Sequence, residues 1–427
     1  MTLTSLVVII AAVAWIGLRT TAGPTRLHWR SQEYWLALAM FGFSGVGMIL
    51  GIAGQSDNPA VLGLRFGPLV AIAIVVTIGN LAKGAVIRPA GLLLAAFFLL
   101  TFAFSVTENQ LLMPLTSLCV LLPAIIIPSR GYSSEALHAG LRDSIRVALV
   151  FLAILTLATP GQIIGICRSD KCSLWGLALG PLGTGNAFGM YLALAAGVAV
   201  VLARNRLTVL ATVAASGLLV DASSGRAAML SWSFAVAAAG IWRLTRSSRG
   251  KRLLSWFCAA SASSVLIVGL GSWRPDDFTG RANLWIVARE LFSSSPIFGY
   301  GPSFWVRQDR TSYVDSNYAT HNLLWELLIS AGFLGLVLIV LSLAMLLKNA
   351  DSKMRGVTLV FTSSWLASCI LEVTAAPGRL YLIPGALLLI YVYGQARPRE
   401  GDFSEGSDTS RSLIHQPRGA RNSRSHF

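Results

Sequence analysis

Apolar runs of similar length follow one another from residue 3 to residue 395, separated by short polar gaps. Each run is roughly the 17–25 residues that cross a bilayer core as a helix. The pattern predicts helices at 3–18, 34–53, 60–80, 90–106, 110–128, 144–160, 182–203, 207–221, 226–243, 253–271, 323–347, 357–375 and 379–395. The first run lacks a basic leader and a small-residue cleavage site, so it reads as a retained helix rather than a signal peptide. The run at 207–221 is short, which leaves twelve or thirteen spans. The expected fold is an all-α integral membrane protein, a polytopic helical bundle over residues 1–395.

One polar gap differs from the rest. Ser272 to Asn322, between the tenth and eleventh spans, is the longest. It mixes Arg274, Arg281, Arg289, Arg307 and Arg310 with Asp276, Asp277, Glu290, Asp309 and Asp315. Within it, Leu284, Val287, Ala288 and Leu291 recur at helical spacing, which predicts an amphipathic helix from Arg281 to Phe292 lying at the membrane surface. Pro296 ends that helix, and Gly299-Tyr300-Gly301-Pro302 reads as a tight turn.

Composition agrees with lipid as the main solvent. The chain is 54% hydrophobic and 12% charged, against about 25% charged in soluble domains. The net charge of +15 is a topology signal rather than a nucleic-acid footprint. Basic residues crowd alternate gaps: Arg19, Arg26, Arg30; Lys83, Arg88; Arg130, Arg142, Arg146; Arg204, Arg206; Arg243 to Arg252; Lys348 to Arg355. By the positive-inside rule these gaps are cytoplasmic. The C-terminus is then cytoplasmic, and loop 272–322 is extracytoplasmic in a multi-pass protein of the cell's inner or plasma membrane. The tail 396–427, rich in Arg, Ser, Gly and Asp, is expected to be disordered; its basic residues suit membrane-lipid head groups, though the plainer role, setting topology, is the favoured one.

Few side chains on the outer side can carry chemistry. Of five histidines, His321 alone falls outside, just before the span at Leu323. It suits a general base; the plainer role is a helix-start residue. Arg226 follows Ser223-Ser224-Gly225, and Arg281 follows Thr279-Gly280, so each sits in a small-residue turn where guanidinium and backbone can share one anion. Arg65 and Arg379 sit near outer span ends, either as substrate contacts or snorkelling to head groups. Asp221 and Glu372 lie near outer helix ends, placed to pair with Arg226 or Arg379. Tyr300 and Trp305 suit either sugar stacking or loop packing. Cys167 and Cys172 share an outer loop, where a disulfide is possible. No metal-ligand cluster, phosphate loop or cofactor motif is evident.

Taken in order, these segments resemble the O-antigen ligase and O-antigen polymerase family. The resemblance rests on Thr279-Gly280-Arg281-Ala282-Asn283-Leu284-Trp285, Pro296-Ile297-Phe298-Gly299-Tyr300-Gly301, and His321-Asn322-Leu323-Leu324 followed by Ala331-Gly332-Phe333-Leu334-Gly335. Ser224-Gly225-Arg226 and Gly185-Asn186 are similar as well. It implies an inverting, metal-independent glycosyltransferase with no cofactor. The donor would be a glycan on undecaprenyl diphosphate, and the acceptor a hydroxyl of a glycan, lipid or protein. Arg226 and Arg281 would contact the diphosphate, and His321 would be catalytic. Arg65, Gly299, Tyr300, Gly301, Asn322 and Arg379 are the candidates for lining the substrate site. Two other readings stand beside this one: a transporter or flippase of lipid-linked glycans, and a structural membrane partner of a polysaccharide-export complex. Nearly clean spans with polar groups gathered at one rim favour the enzyme over the transporter.

Overall fold

The computed structural model describes residues 28–49, 59–107, 111–165, 172–174, 178–179, 185–203, 205–244, 248–307 and 320–397. The expected span at 3–18 and nearly all of the tail lie outside the described residues. The rest is a helical membrane protein. Its principal helices are α1 (Gln32–Ile49), α2 (Pro59–Ala82), α3 (Pro89–Thr107), α4 (Leu112–Ile125), α5 (Ser134–Ala158), α6 (Gly185–Leu202), α7 (Arg206–Ala222), α8 (Arg226–Leu244), α9 (Ser248–Leu270), α10 (Arg281–Ser294), α11 (Leu323–Asn349), α12 (Ser352–Ser368) and α13 (Gly385–Gly394). Among the described residues, four segments are long and apolar enough to cross a membrane: Pro89–Val106, Arg226–Leu244, Gly250–Leu270 and Leu323–Asn349.

Helix α1 lies along α5 and touches α2, while α6 packs on α7 and α8. Helix α12 runs among α6, α8, α9 and α13. Every residue of α13 is buried, so this short helix is solvated by protein on all sides. Its ten residues are fewer than the roughly 17 needed to span lipid.

The structure departs from the hydrophobic pattern in four places. Helix α5 starts ten residues before the apolar run, capped by the Ser133 hydroxyl, which accepts from the Ala136 amide. Its polar first turns hold Asp143 between Arg142 and Arg146 at 3.2 and 2.9 Å. Second, Cys369 to Pro384, of which 369–375 and 379–384 read from hydropathy as helix, is not helical. Pro377, Gly378 and Pro384 break it, and burial in protein rather than helix formation satisfies its apolar side chains. Its backbone folds back on itself, with Ile383 N donating to Thr374 O at 2.7 Å and a bridge between Ala376 and Arg379. Third, short strands knit the chain between helices. Ala85–Ile87 pairs antiparallel with Ile126–Pro128, and Tyr132–Ser133 pairs parallel with Ala396–Arg397.

Fourth, α11 is broken at Gly332, whose φ of 64° and ψ of −168° are not helical. A helix break strands amides and carbonyls that lipid cannot satisfy. Here the Pro296–Gly301 turn satisfies them. Phe333 N donates to Pro296 O at 2.9 Å, Leu334 N to Ile297 O at 3.1 Å, and Tyr300 N to Ile329 O at 2.7 Å. The two backbones approach so closely that a Cβ on Gly332 would sit 2.2 Å from Ile297 O, and one on Gly299 would sit 2.6 Å from Ile329 O.

Candidate functional site

Four helix ends meet at one end of the bundle. Asn322 caps α11, its Oδ1 accepting from Leu324 N at 3.0 Å. Its Nδ2 donates to Val265 O on α9 at 3.2 Å and to Ile370 O beyond α12 at 3.0 Å. Leu323 N donates to Cys369 O at 3.1 Å. Ser231 of α8 lies 3.4 Å from Ala367 O of α12. Arg226 begins α8 five residues earlier, about 7.5 Å further along the axis.

At this end His321 and Arg281 converge on Glu372. Nδ1 of His321 is 2.6 Å from one carboxylate oxygen. An Arg281 guanidinium nitrogen hydrogen-bonds the other. Arg281 Nε is buried and makes no hydrogen bond among the described residues. Glu372 belongs to the non-helical segment after α12 and is 7% exposed. Burial pushes its carboxyl up. The hydrogen bond and charge of His321, with Arg281, outweigh that and hold it below the usual carboxylate range. An ionised Glu372 can only accept from Nδ1 of His321, which selects the ring tautomer whose lone pair is on Nε2.

Three stressed turns present the charged side chains. Among the described residues, the non-glycine positions with positive φ are Ser224 (56°), Phe278 (54°), Thr279 (61°) and His321 (55°). Each lies within three residues of Arg226 or Arg281, or is His321 itself. Such conformations cost roughly 1–3 kcal/mol each and persist where surroundings over-determine them. Phe278 is gripped between the rings of Trp273 and Trp285, with centroids at 4.9 and 5.2 Å. Trp285 Nε1 then donates to Thr320 O at 2.7 Å, so one indole ties the Arg281 turn to the residue before His321. The Arg226 turn packs against the start of α6, where Asn186 Oδ1 lies 3.4 Å from where a Gly225 Cβ would be.

The remaining sequence candidates fall as follows. Arg226 is exposed at the same end as Arg281 and His321. Gly299, Tyr300 and Gly301 form the turn that clamps the α11 break, with Tyr300 Oη donating to Leu291 O at 2.9 Å. Trp305 is buried. Asn322 is fully buried and committed to the contacts above. Arg379 is 3.6 Å from Glu326, not beside Glu372 as its position suggests. Asp221 accepts from Leu174 N at 3.0 Å. The Arg65 side chain and Cys167 lie outside the described residues; Cys172 is disulfide-bonded. Among the described residues no group of three or more His, Cys, Asp or Glu side chains is arranged to hold a metal.

Glu372 is the site residue the sequence reading missed in this role. A carboxylate inside an apolar stretch is itself a signal, because a charge there needs a partner. Nothing in the spacing says that the partners lie 51 and 91 residues away.

The model of the O-antigen ligase family matches residues 190–340 of this chain. The matched stretch runs from α6 through the break in α11 and includes Arg226, Arg281 and His321. No curated protein matches the chain.

Proposed function

Taking as premise that residues 190–340 carry the O-antigen ligase family's domain, we propose that this membrane protein transfers a glycan from undecaprenyl diphosphate to an acceptor hydroxyl. Transfer takes place on the extracytoplasmic face of the inner or plasma membrane, in a bundle of 12–13 spans with loop 272–322 outside. The observation that carries this reading is the convergence of His321 and Arg281 on Glu372.

A diphosphate is already a good leaving group, so it needs charge stabilisation more than a proton. Arg281, with 17% of its side chain open, offers one guanidinium, and Arg226 a second in its own turn. The acceptor is a sugar-type hydroxyl, a poor nucleophile until its proton is taken. Nε2 of His321 accepts that proton as the oxygen attacks the anomeric carbon from the face opposite the diphosphate. The bond from the anomeric carbon to the diphosphate oxygen breaks, and its electron pair leaves with the lipid diphosphate. Configuration inverts in this single displacement. Glu372 fixes the tautomer of His321 and stabilises the imidazolium that forms. No step calls for a metal or cofactor. The same chemistry serves a polymerase, whose acceptor is another repeat unit, and a ligase, whose acceptor is a lipid, a protein or a finished glycan.

The test is transfer by purified protein supplied with undecaprenyl-diphosphate glycan, with EDTA present, comparing wild type with His321→Ala. Release of lipid diphosphate by wild type and not by the variant is the expected result. Equal turnover by both sinks the assignment of His321. A lipid-linked-glycan transporter would tolerate His321→Gln, whereas the transferase loses product and keeps donor binding.

A further inference from the structure

A second charged pair joins the same two segments as His321 and Glu372, with its polarity reversed. Helix α11 contributes His321 at its lead and Glu326 one turn on. The segment Cys369–Pro384 contributes Glu372 on its first limb and Arg379 at its tip. Glu326 is 2% exposed and lies 3.6 Å from Arg379 Nη1. Its other oxygen is 3.5 Å from the hydroxyl of Thr320, the residue before His321. That hydroxyl also donates to Asn322 O at 2.9 Å. Arg379 lies over the ring of Tyr381 at 5.0 Å and is 3.4 Å from its hydroxyl. The tip of the segment rests on α3, where a Cβ on Gly378 would meet Phe97 at 3.3 Å and Thr101 at 3.4 Å.

A buried ion pair is a poor device for stability, since an apolar pair of similar volume does as well or better. What it adds is geometric choice. The first limb is pinned to the lead of α11 by Leu323 N to Cys369 O and Asn322 Nδ2 to Ile370 O. The Glu326–Arg379 pair adds a contact of opposite polarity at the tip, so that both limbs beside Glu372 are held in register. We propose that Glu326 and Arg379 are positioning residues that hold Glu372 against His321, and that Arg379 does not bind the donor. This inference rests on the catalytic reading of His321 above.

A double-mutant cycle tests it on purified protein, reading turnover and donor affinity separately. Arg379→Gln and Glu326→Gln are expected to lower turnover by roughly 10–100-fold, the scale of a misplaced catalytic group, with donor affinity within about twofold of wild type. Arg379→Lys should recover part of the loss. Combined with Glu372→Gln, Arg379→Gln should cost nothing further, because it acts only through Glu372. Glu326→Gln/Arg379→Gln leaves no unpaired buried charge, so it supplies a folded variant if a single substitution unfolds the chain; its turnover should fall likewise. Turnover like wild type in that double variant overturns the proposal. So does a fall in donor affinity with turnover intact, or losses that multiply with Glu372→Gln. His321→Ala as active as wild type overturns the catalytic reading as well, and that arm is scored separately.

Discussion

Glu372→Gln isolates the charge at the centre of the site while keeping the side chain's shape. The carboxylate now serves two donors, one oxygen each: Arg281 and Nδ1 of His321. A glutamine has one oxygen and an NH2 group, so one of the two partners must face a donor. Losing one charge-assisted hydrogen bond costs roughly 1.5–3 kcal/mol, or about 10–150-fold in turnover at 1.36 kcal/mol per decade. The assay is single-turnover release of lipid diphosphate, alongside thermal melting in detergent at several pH values. Glu372's folded value is held below the ordinary 4.5, so its contribution to stability is fully present above that and is lost as pH falls through the folded value. The melting difference between wild type and Glu372→Gln should therefore be present at pH 5 and shrink as pH falls below about 4.5. Turnover within about twofold of wild type, or a difference that widens as pH falls below about 4.5, would refute the reasoning.

Further predictions concern the turns and the break. Gly332→Ala should unfold the loop or lower the melting temperature sharply, because its Cβ would sit 2.2 Å from Ile297 O and the left-handed backbone adds about 1–2 kcal/mol. Gly240→Ala, which meets nothing within 4 Å, should be neutral or slightly stabilising by the same melt. Arg226→Ala should change the melting temperature little, since contacts of an exposed arginine contribute roughly 0–1 kcal/mol, yet weaken donor binding measured by titration with the lipid diphosphate. Thr279→Gly should raise stability by about 1 kcal/mol by relieving a β-branched residue of its positive φ, and should lower turnover by freeing the Arg281 turn.

Much of the helical layout was legible because a long apolar run is a strong signal. Helix α11 begins at Leu323, where the apolar run begins, and α10 occupies the stretch where Leu284, Ala288 and Leu291 share a face. Residues 369–375 and 379–384 were misread as helix because hydropathy measures transfer from water and is blind to whether lipid or protein receives the side chain. The prolines there carried the correct message. The start of α5 was missed for the opposite reason, since a polar turn outside lipid can still be helical. Arg226 and Arg281 stood out because each follows a small-residue turn, and His321 because it alone of five histidines falls outside. Their meeting on Glu372, and the clamp of Pro296–Gly301 on Gly332, depend on backbone paths that spacing along the chain does not encode.

Arg226 and Arg281 occupy different electrical surroundings, one exposed and the other with only 17% of its side chain open. Mobile ions screen the first and hardly reach the second, since screening acts over about 8 Å in saline water and weakly inside protein. Ionic strength thus becomes a dial that turns down one arginine at a time. A rise in salt should slow capture of an anionic lipid through Arg226 while leaving the step governed by Arg281 almost untouched. Encounter and chemistry would then separate on a salt axis without any change to the chain.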